Sequence, residues 1–323
     1  MKLLTIIMYH DIVNQNDDIY DKFDMLHYKK FSAALRLPEF QTQLEYIVNN
    51  YNVINPIDLN NIINQKITLK EKSILLTFDD GFLNHYKYVL PLLKQYNISG
   101  IFFPSVSTTI NNYIPSHYKF IYMMTICDET LVLKQLFNII DNQLRIEFNL
   151  PTNDELYKTY SKTQILNNVW KPEHIFISRF LRYAINQEKS DIILDELFKF
   201  FGINQQILSR KLFINEKQAK EMLHAGMYLG GHGDKHFLLH ILNKQKQKKE
   251  IISSYNFLKK LHNNKNFNFY YCYPHGSYNK TSMSILQKLN CKFSVTTKSG
   301  FNDINNLKQY ELFREREFYL PLE

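Results

Sequence analysis

Four short apolar runs in this chain end in the same way, and that repetition limits its fold more than any total does. LLTIIM (3–8) runs into Tyr9, His10 and Asp11, and SILLTF (73–78) into Asp79, Asp80 and Gly81. MYLGG (227–231) runs into HGDKH, and FNFYYC (267–272) into YPHG. Such runs have the length of buried strands, and stretches with helical spacing lie between them. FQTQLEYIVNN places Phe40, Leu44, Ile47 and Val48 on one face. VLPLLKQY, NEKQAKEMLHAG, KQKKEIISSYNFLKKL and KTSMSILQKL read as further helices, and GIFFPS and CKFSVTTKSG as further strands. Alternating strands and helices predict a parallel sheet with crossovers, either open or closed into a barrel. In such a fold, side chains at the C-terminal strand ends share one site.

The rhythm breaks between residues 106 and 214. Helical stretches such as ETLVLKQLFNIID and SDIILDELFKFFG occur there without strands between them. The expectation is a single α/β domain over 1–323 with a mainly helical insertion at 106–214, serving as lid, pocket extension or oligomer contact. Hydrophobic residues at 45% of 323 suffice for a sizeable core; α/β barrels hold about 200–250 residues in one domain. No run is long enough to span a bilayer, so no transmembrane segment is expected. The opening apolar run is too short for a signal-peptide core and lacks a small-residue cleavage site, which predicts a cytoplasmic protein. Cys127, Cys272 and Cys291 are scattered and odd in number, so they make neither a disulfide framework nor a zinc ribbon. The net charge of +8 follows an abundance of Lys throughout the chain. The run Lys244, Lys246, Lys248, Lys249 reads as the solvated start of a helix, and no nucleic-acid motif accompanies it.

The strand ends carry the chemistry. TFDDG sets two carboxylates side by side; neighbouring side chains on a strand diverge, so one Asp can bind a metal while the other faces elsewhere. The same three residues also make an ordinary helix-capping turn. HGDKH spaces His232 and His236 four apart, a clamp for one metal if the segment turns into a helix. With Asp80 they offer two imidazoles and a carboxylate, leaving positions open for water and substrate, as catalytic sites do. In CYPHG, Pro274 and Gly276 shape a turn able to aim a backbone N–H at an oxyanion.

TFDDG, then H-x-x-x-H, then an aromatic-Pro-x-Gly turn resemble the polysaccharide deacetylases, the NodB-homology domain of carbohydrate esterase family 4. The resemblance covers about 1–105 and 215–320. It implies a distorted (β/α)7 barrel and a divalent metal, most simply Zn²⁺, held by Asp80, His232 and His236. It further implies Asp79 as general base and the backbone N–H of His275 as an oxyanion donor. The family's usual Arg before the Pro-aromatic turn is replaced here by Cys272. YPHG, with the early Tyr9-His10-Asp11-Ile12, instead resembles the circularly permuted branch with an N-terminal YHxI motif, in which His10 acts as general acid. The late Asp- and Trp-bearing motif is absent; the one Trp, Trp170, falls in the insertion. Arg314, in ELFREREF, is the candidate to orient Asp79 in place of the missing Arg.

These assignments predict hydrolysis of an N-acetyl group from an acetylated amino sugar, a precursor or oligosaccharide of surface-glycan biosynthesis. The alternatives are an amidase of the same fold acting on a non-sugar amide, or a binding protein that keeps the fold without catalysis. The remaining histidines, His27 and His117 among them, lie off the strand ends. His85, just after TFDDG, either lines the pocket or caps a helix.

Overall fold

The computed structural model describes residues 3–14, 16–17, 34–162, 170–263 and 267–322. Its chain divides into two compact units. One comprises Ile114–Leu208; the other takes the described residues up to Tyr113 and from Ser209 onward.

The second of these is mixed α/β. Strand β1 (Leu3–Tyr9) pairs in parallel with β5 (Ser73–Asp80), β5 with β6 (Ile101–Pro104), and β6 with β7 (Tyr228–Leu229). The short β4 (Asn52–Val53) joins β5 in parallel, while β2 (Ile12–Val13) and β3 (Leu35–Arg36) form a separate parallel pair. Strands β8 (Tyr270–Cys272) and β9 (Phe293–Val295) are parallel to each other. The other edge of β1 meets β10 (Asn302–Asp303) antiparallel and β11 (Glu315–Arg316) parallel. Single-residue parallel bridges link Gly231 to Tyr271 and Val295 to Leu312.

Central strands covered on both faces lose the alternation of polar and apolar residues, and for that reason LLTIIM and SILLTF read as continuous apolar runs. Their side chains nevertheless divide. Ile7, Tyr9, Leu76, Phe78 and Phe102 pack with Phe40, Leu44 and Ile47 of helix α1 (Leu37–Asn50). Leu4, Ile6, Leu75, Ile101 and Phe103 pack on the opposite face with Tyr270, Cys272 and Phe293. The rings of Tyr9, Phe78 and Phe102 stack in series at 5.2 and 4.6 Å, and each buried ring contributes about 1.5–3 kcal/mol. Around the strands run α2 (Pro56–Ile63), α3 (Leu90–Gln95), α4 (Val106–Asn111), α5 (Glu216–His224), α6 (Lys244–Leu261) and α7 (Lys280–Lys288). Asn side chains cap several of them; Asn279 accepts from the Thr281 and Ser282 N–H groups at the start of α7.

The other unit is helical, with Ser116–Ile126, Glu129–Ile139, Asn153–Tyr160, Pro172–Arg179 and Gln187–Phe200 as its main elements. Asp128 and Thr152 cap two of these helices. Phe176 lies at its centre, 5.3 Å from the Phe137 ring and 5.4 Å from the Tyr157 ring. The unit is narrower than the 106–214 stretch whose sequence breaks the rhythm. Backbone bonds account for the difference: Val106 N donates to Gly233 O, and Ile214 N to Gly81 O, drawing both flanks into the α/β unit. No helix among the described residues is long and apolar enough to cross a membrane.

Candidate functional site

Asp80 is the last residue of β5 and has a left-handed backbone, at φ 71°. Its Oδ1 lies 3.3 Å from His232 Nε2 and 3.1 Å from His236 Nε2, and the two Nε2 atoms are 3.0 Å apart. All three residues are buried. Burial alone would raise the Asp80 carboxyl; the charge of His236 and hydrogen bonds from both imidazoles hold it well below the usual range. The His232 Nδ1–H donates to the Cys272 carbonyl at 2.9 Å. With Nδ1 engaged there, Nε2 is the ring nitrogen that faces Asp80 and His236.

The condition set for HGDKH, that it turn into a helix, is not met. The segment is an irregular bend after β7, and His236 sits at φ 62°. The imidazoles converge through this bend rather than through a shared helical face. Their ring centroids are 4.6 Å apart.

Asp79 faces a different partner, as the divergence of strand neighbours predicts. Arg314 clasps both its oxygens, Nη1 to Oδ1 at 2.8 Å and Nη2 to Oδ2 at 2.7 Å. The guanidinium is fully buried and otherwise held by the Thr296 carbonyl (2.7 Å), Thr77 Oγ1 (3.0 Å) and Cys272 Sγ (3.2 Å). Burial would raise the Asp79 carboxyl, but the charge and hydrogen bonds of Arg314 bring it below its ordinary value. The Cys272 thiol donates to Asp79 Oδ2 at 3.4 Å. The small side chain at position 272 therefore sits directly against a guanidinium supplied from elsewhere in the chain.

His10 follows β1 directly, and burial lowers its imidazole pKa against the raising influence of Asp80 and Asp79. Two helical residues just after TFDDG hold this segment. His85 Nε2–H donates to the His10 carbonyl at 2.7 Å, and Asn84 Nδ2 donates to the side chain of the next residue, Asp11 Oδ1, at 2.9 Å. Burial pushes the His85 pKa down to about 4, so it stays neutral. It is packed among Phe78, Phe82 and Phe102, and supports His10. His275 occupies a tight turn at φ 53°, closed by Gly276 N to Tyr273 O (2.8 Å); its ring lies 4.4 Å from that of His236. His27 lies outside the described residues. The roles of His85, Thr77 and Asn84 are not legible in the sequence, because each bonds a partner about 70 residues or more away.

A buried carboxylate and two imidazoles, with ligand atoms within 4.8 Å of one another at the ends of parallel strands, form a group that could hold a metal ion. Residues 66–166 and 197–294 match the model of the polysaccharide deacetylases, more than half of the chain, and the protein belongs to that family. YxkH of Bacillus subtilis (strain 168), a polysaccharide deacetylase by name, is 29% identical over 103 residues. That match spans 31% of each chain. The fold is similar to that of the deacetylase PplD of Streptococcus pyogenes, solved with acetate, at TM-score 0.56 and 18% identity over 97% of this chain and 92% of that one. It is also similar to IcaB from Ammonifex degensii, at TM-score 0.53 and 15% identity over 97% and 91%.

Proposed function

We propose that the protein is a metal-dependent hydrolase that removes an N-acetyl group from an acetamido sugar. The observation that carries this reading is the convergence of Asp80, His232 and His236 beside an Asp79 oriented by Arg314. Two imidazoles and one carboxylate suit Zn²⁺ and leave positions open. A divalent cation held there supplies Lewis acidity, polarising the acetyl carbonyl and acidifying water. Asp79, kept ionised by Arg314, takes the proton from the attacking water. The peptide N–H of His275 donates to the oxyanion, and His10 protonates the departing amine. Burial lowers the His10 pKa, and the neighbouring Asp80 and Asp79 charges oppose that shift, favouring the protonated imidazole that the step needs.

We read the sheet as a distorted (β/α)7 barrel. The Gly231–Tyr271 and Val295–Leu312 bridges support this, since they link β7 to β8 and β9 to the segment entering β11, which pairs with β1. The substrate is placed among acetamido sugars of surface-glycan assembly, and a net charge of +8 suits one carrying a phosphate. Acetate release from a panel of acetylated amino sugars, with acylated amines and ureides alongside and a chelator control, tests the reading. Chelator-sensitive release from sugars alone is expected. Release only from the non-sugar amides, or none from any, overturns it.

A further inference from the structure

The two imidazoles sit four residues apart on a segment that no helix shapes, and other parts of the α/β unit hold it. The His232 carbonyl accepts from Ser105 Oγ at 3.0 Å. The Gly233 carbonyl accepts from Val106 N and from Ser254 Oγ, each at 3.1 Å. The Asp234 carbonyl accepts from Ser107 N at 3.0 Å, and its side chain from Ser107 Oγ at 2.7 Å. The N–H groups of Asp234 and Lys235 both donate to one oxygen, Glu250 Oε2, at 2.8 and 3.1 Å. Glu250 is 5% exposed, on the inward face of α6 with Gln247, Ile251 and Ser254. The Phe237 N–H bonds the same carboxylate, so removing this acceptor leaves several donors of one segment unpaired in a buried place, which costs more than the bonds themselves contribute.

We infer that Glu250 is a positioning residue for the candidate metal centre. Its carboxylate oxygen, by accepting from the N–H groups of Asp234 and Lys235, fixes the bend that brings His232 and His236 to one point. The inference rests on the metal-centre reading above. His236 at φ 62° occupies a backbone conformation unfavourable to its side chain, so the bend needs an outside hold. The position of the acceptor is what matters in this role, rather than its charge.

Zinc uptake, titrated against a chromophoric chelator with folding followed by far-UV circular dichroism, separates these. Glu250→Gln keeps an acceptor oxygen at the same reach and binds zinc within about threefold of wild type, whereas Glu250→Asp keeps the charge but withdraws it by one methylene and binds about 10–100-fold more weakly. The reverse order, equal affinity in both variants, or loss of the fold in Glu250→Asp overturns the inference. Wild-type protein that takes up no zinc overturns the site reading itself, before any variant is compared.

Discussion

Among the described residues, both units of the molecule bury a cation–carboxylate pair with the same contact distance. In the α/β unit Arg314 Nη2 meets Asp79 Oδ2 at 2.7 Å; in the helical unit Lys119 Nζ meets Asp191 Oδ1 at 2.7 Å. The pairs do different work. Lys119 is a point charge shared between Asp191 and Asp195, tying the helix Ser116–Ile126 to Gln187–Phe200. Arg314 grips both oxygens of its partner in a planar fork, which sets the orientation of the carboxylate as well as its charge. The backbones differ in the same direction. Described left-handed residues in the helical unit are Asn149 and Gly202, types that tolerate that conformation. In the α/β unit the left-handed residues include Asp80, His236 and His275. Gln65 and Lys72, away from the candidate site, are left-handed as well.

The largest expected effect is on the metal. Asp80→Asn or chelation removes bound zinc and acetate release together, read by metal analysis and acetate assay; full metal in Asp80→Asn would falsify the ligand set. His10→Ala keeps its metal and slows turnover about 10²–10⁴-fold, and unchanged turnover would make His10 a purely structural residue.

The two ion pairs then separate. Arg314→Met and Lys119→Met each lose about 3–5 kcal/mol in urea unfolding, because each strands a buried carboxylate. Only Arg314→Met lowers kcat at full metal content. Equal kcat in the two variants would erase the functional contrast between the pairs. Acid sharpens it. The Asp79 carboxyl is lower in the folded state, so its pairing contributes stability that is present above the unfolded value of about 4 and lost as pH falls. The gap between wild type and Arg314→Met should therefore narrow in acid.

The smallest contrast is at glycine. Gly202→Ala meets open space at φ 68° and costs about 1–2 kcal/mol. Gly81→Ala costs more, since its Cβ would lie 2.6 Å from Pro104 Cβ and 2.9 Å from its Cα. Melting curves rank the two, and equal losses would remove the distinction.

How much could be read in advance depended on sequence separation. Continuous apolar runs and the polar residues closing them are local patterns, and they placed His10, Asp79, Asp80, His232 and His236 at strand ends. The four-residue spacing in HGDKH left a helical turn open, and Gly233 with the left-handed His236 makes a bend instead. Glu250 follows directly on the lysine run read as the solvated start of a helix. Its one clue was its place three residues after Gln247 and four before Ser254, on the stripe that also carries Ile251 and Leu258.

The amino-acid order alone determined the alternation of strands and helices, and with it which side chains end strands, because both follow from hydrophobic period and turn chemistry within a few residues. Tertiary structure decided which of those side chains meet. Arg314 reaches Asp79 across 235 positions because β11 lies beside β1 and β1 beside β5. Likewise, Cys272 leaves room at the place where the resemblance led one to look for an arginine. Such meetings depend on strand register and on the shape of loops, and no local pattern encodes either.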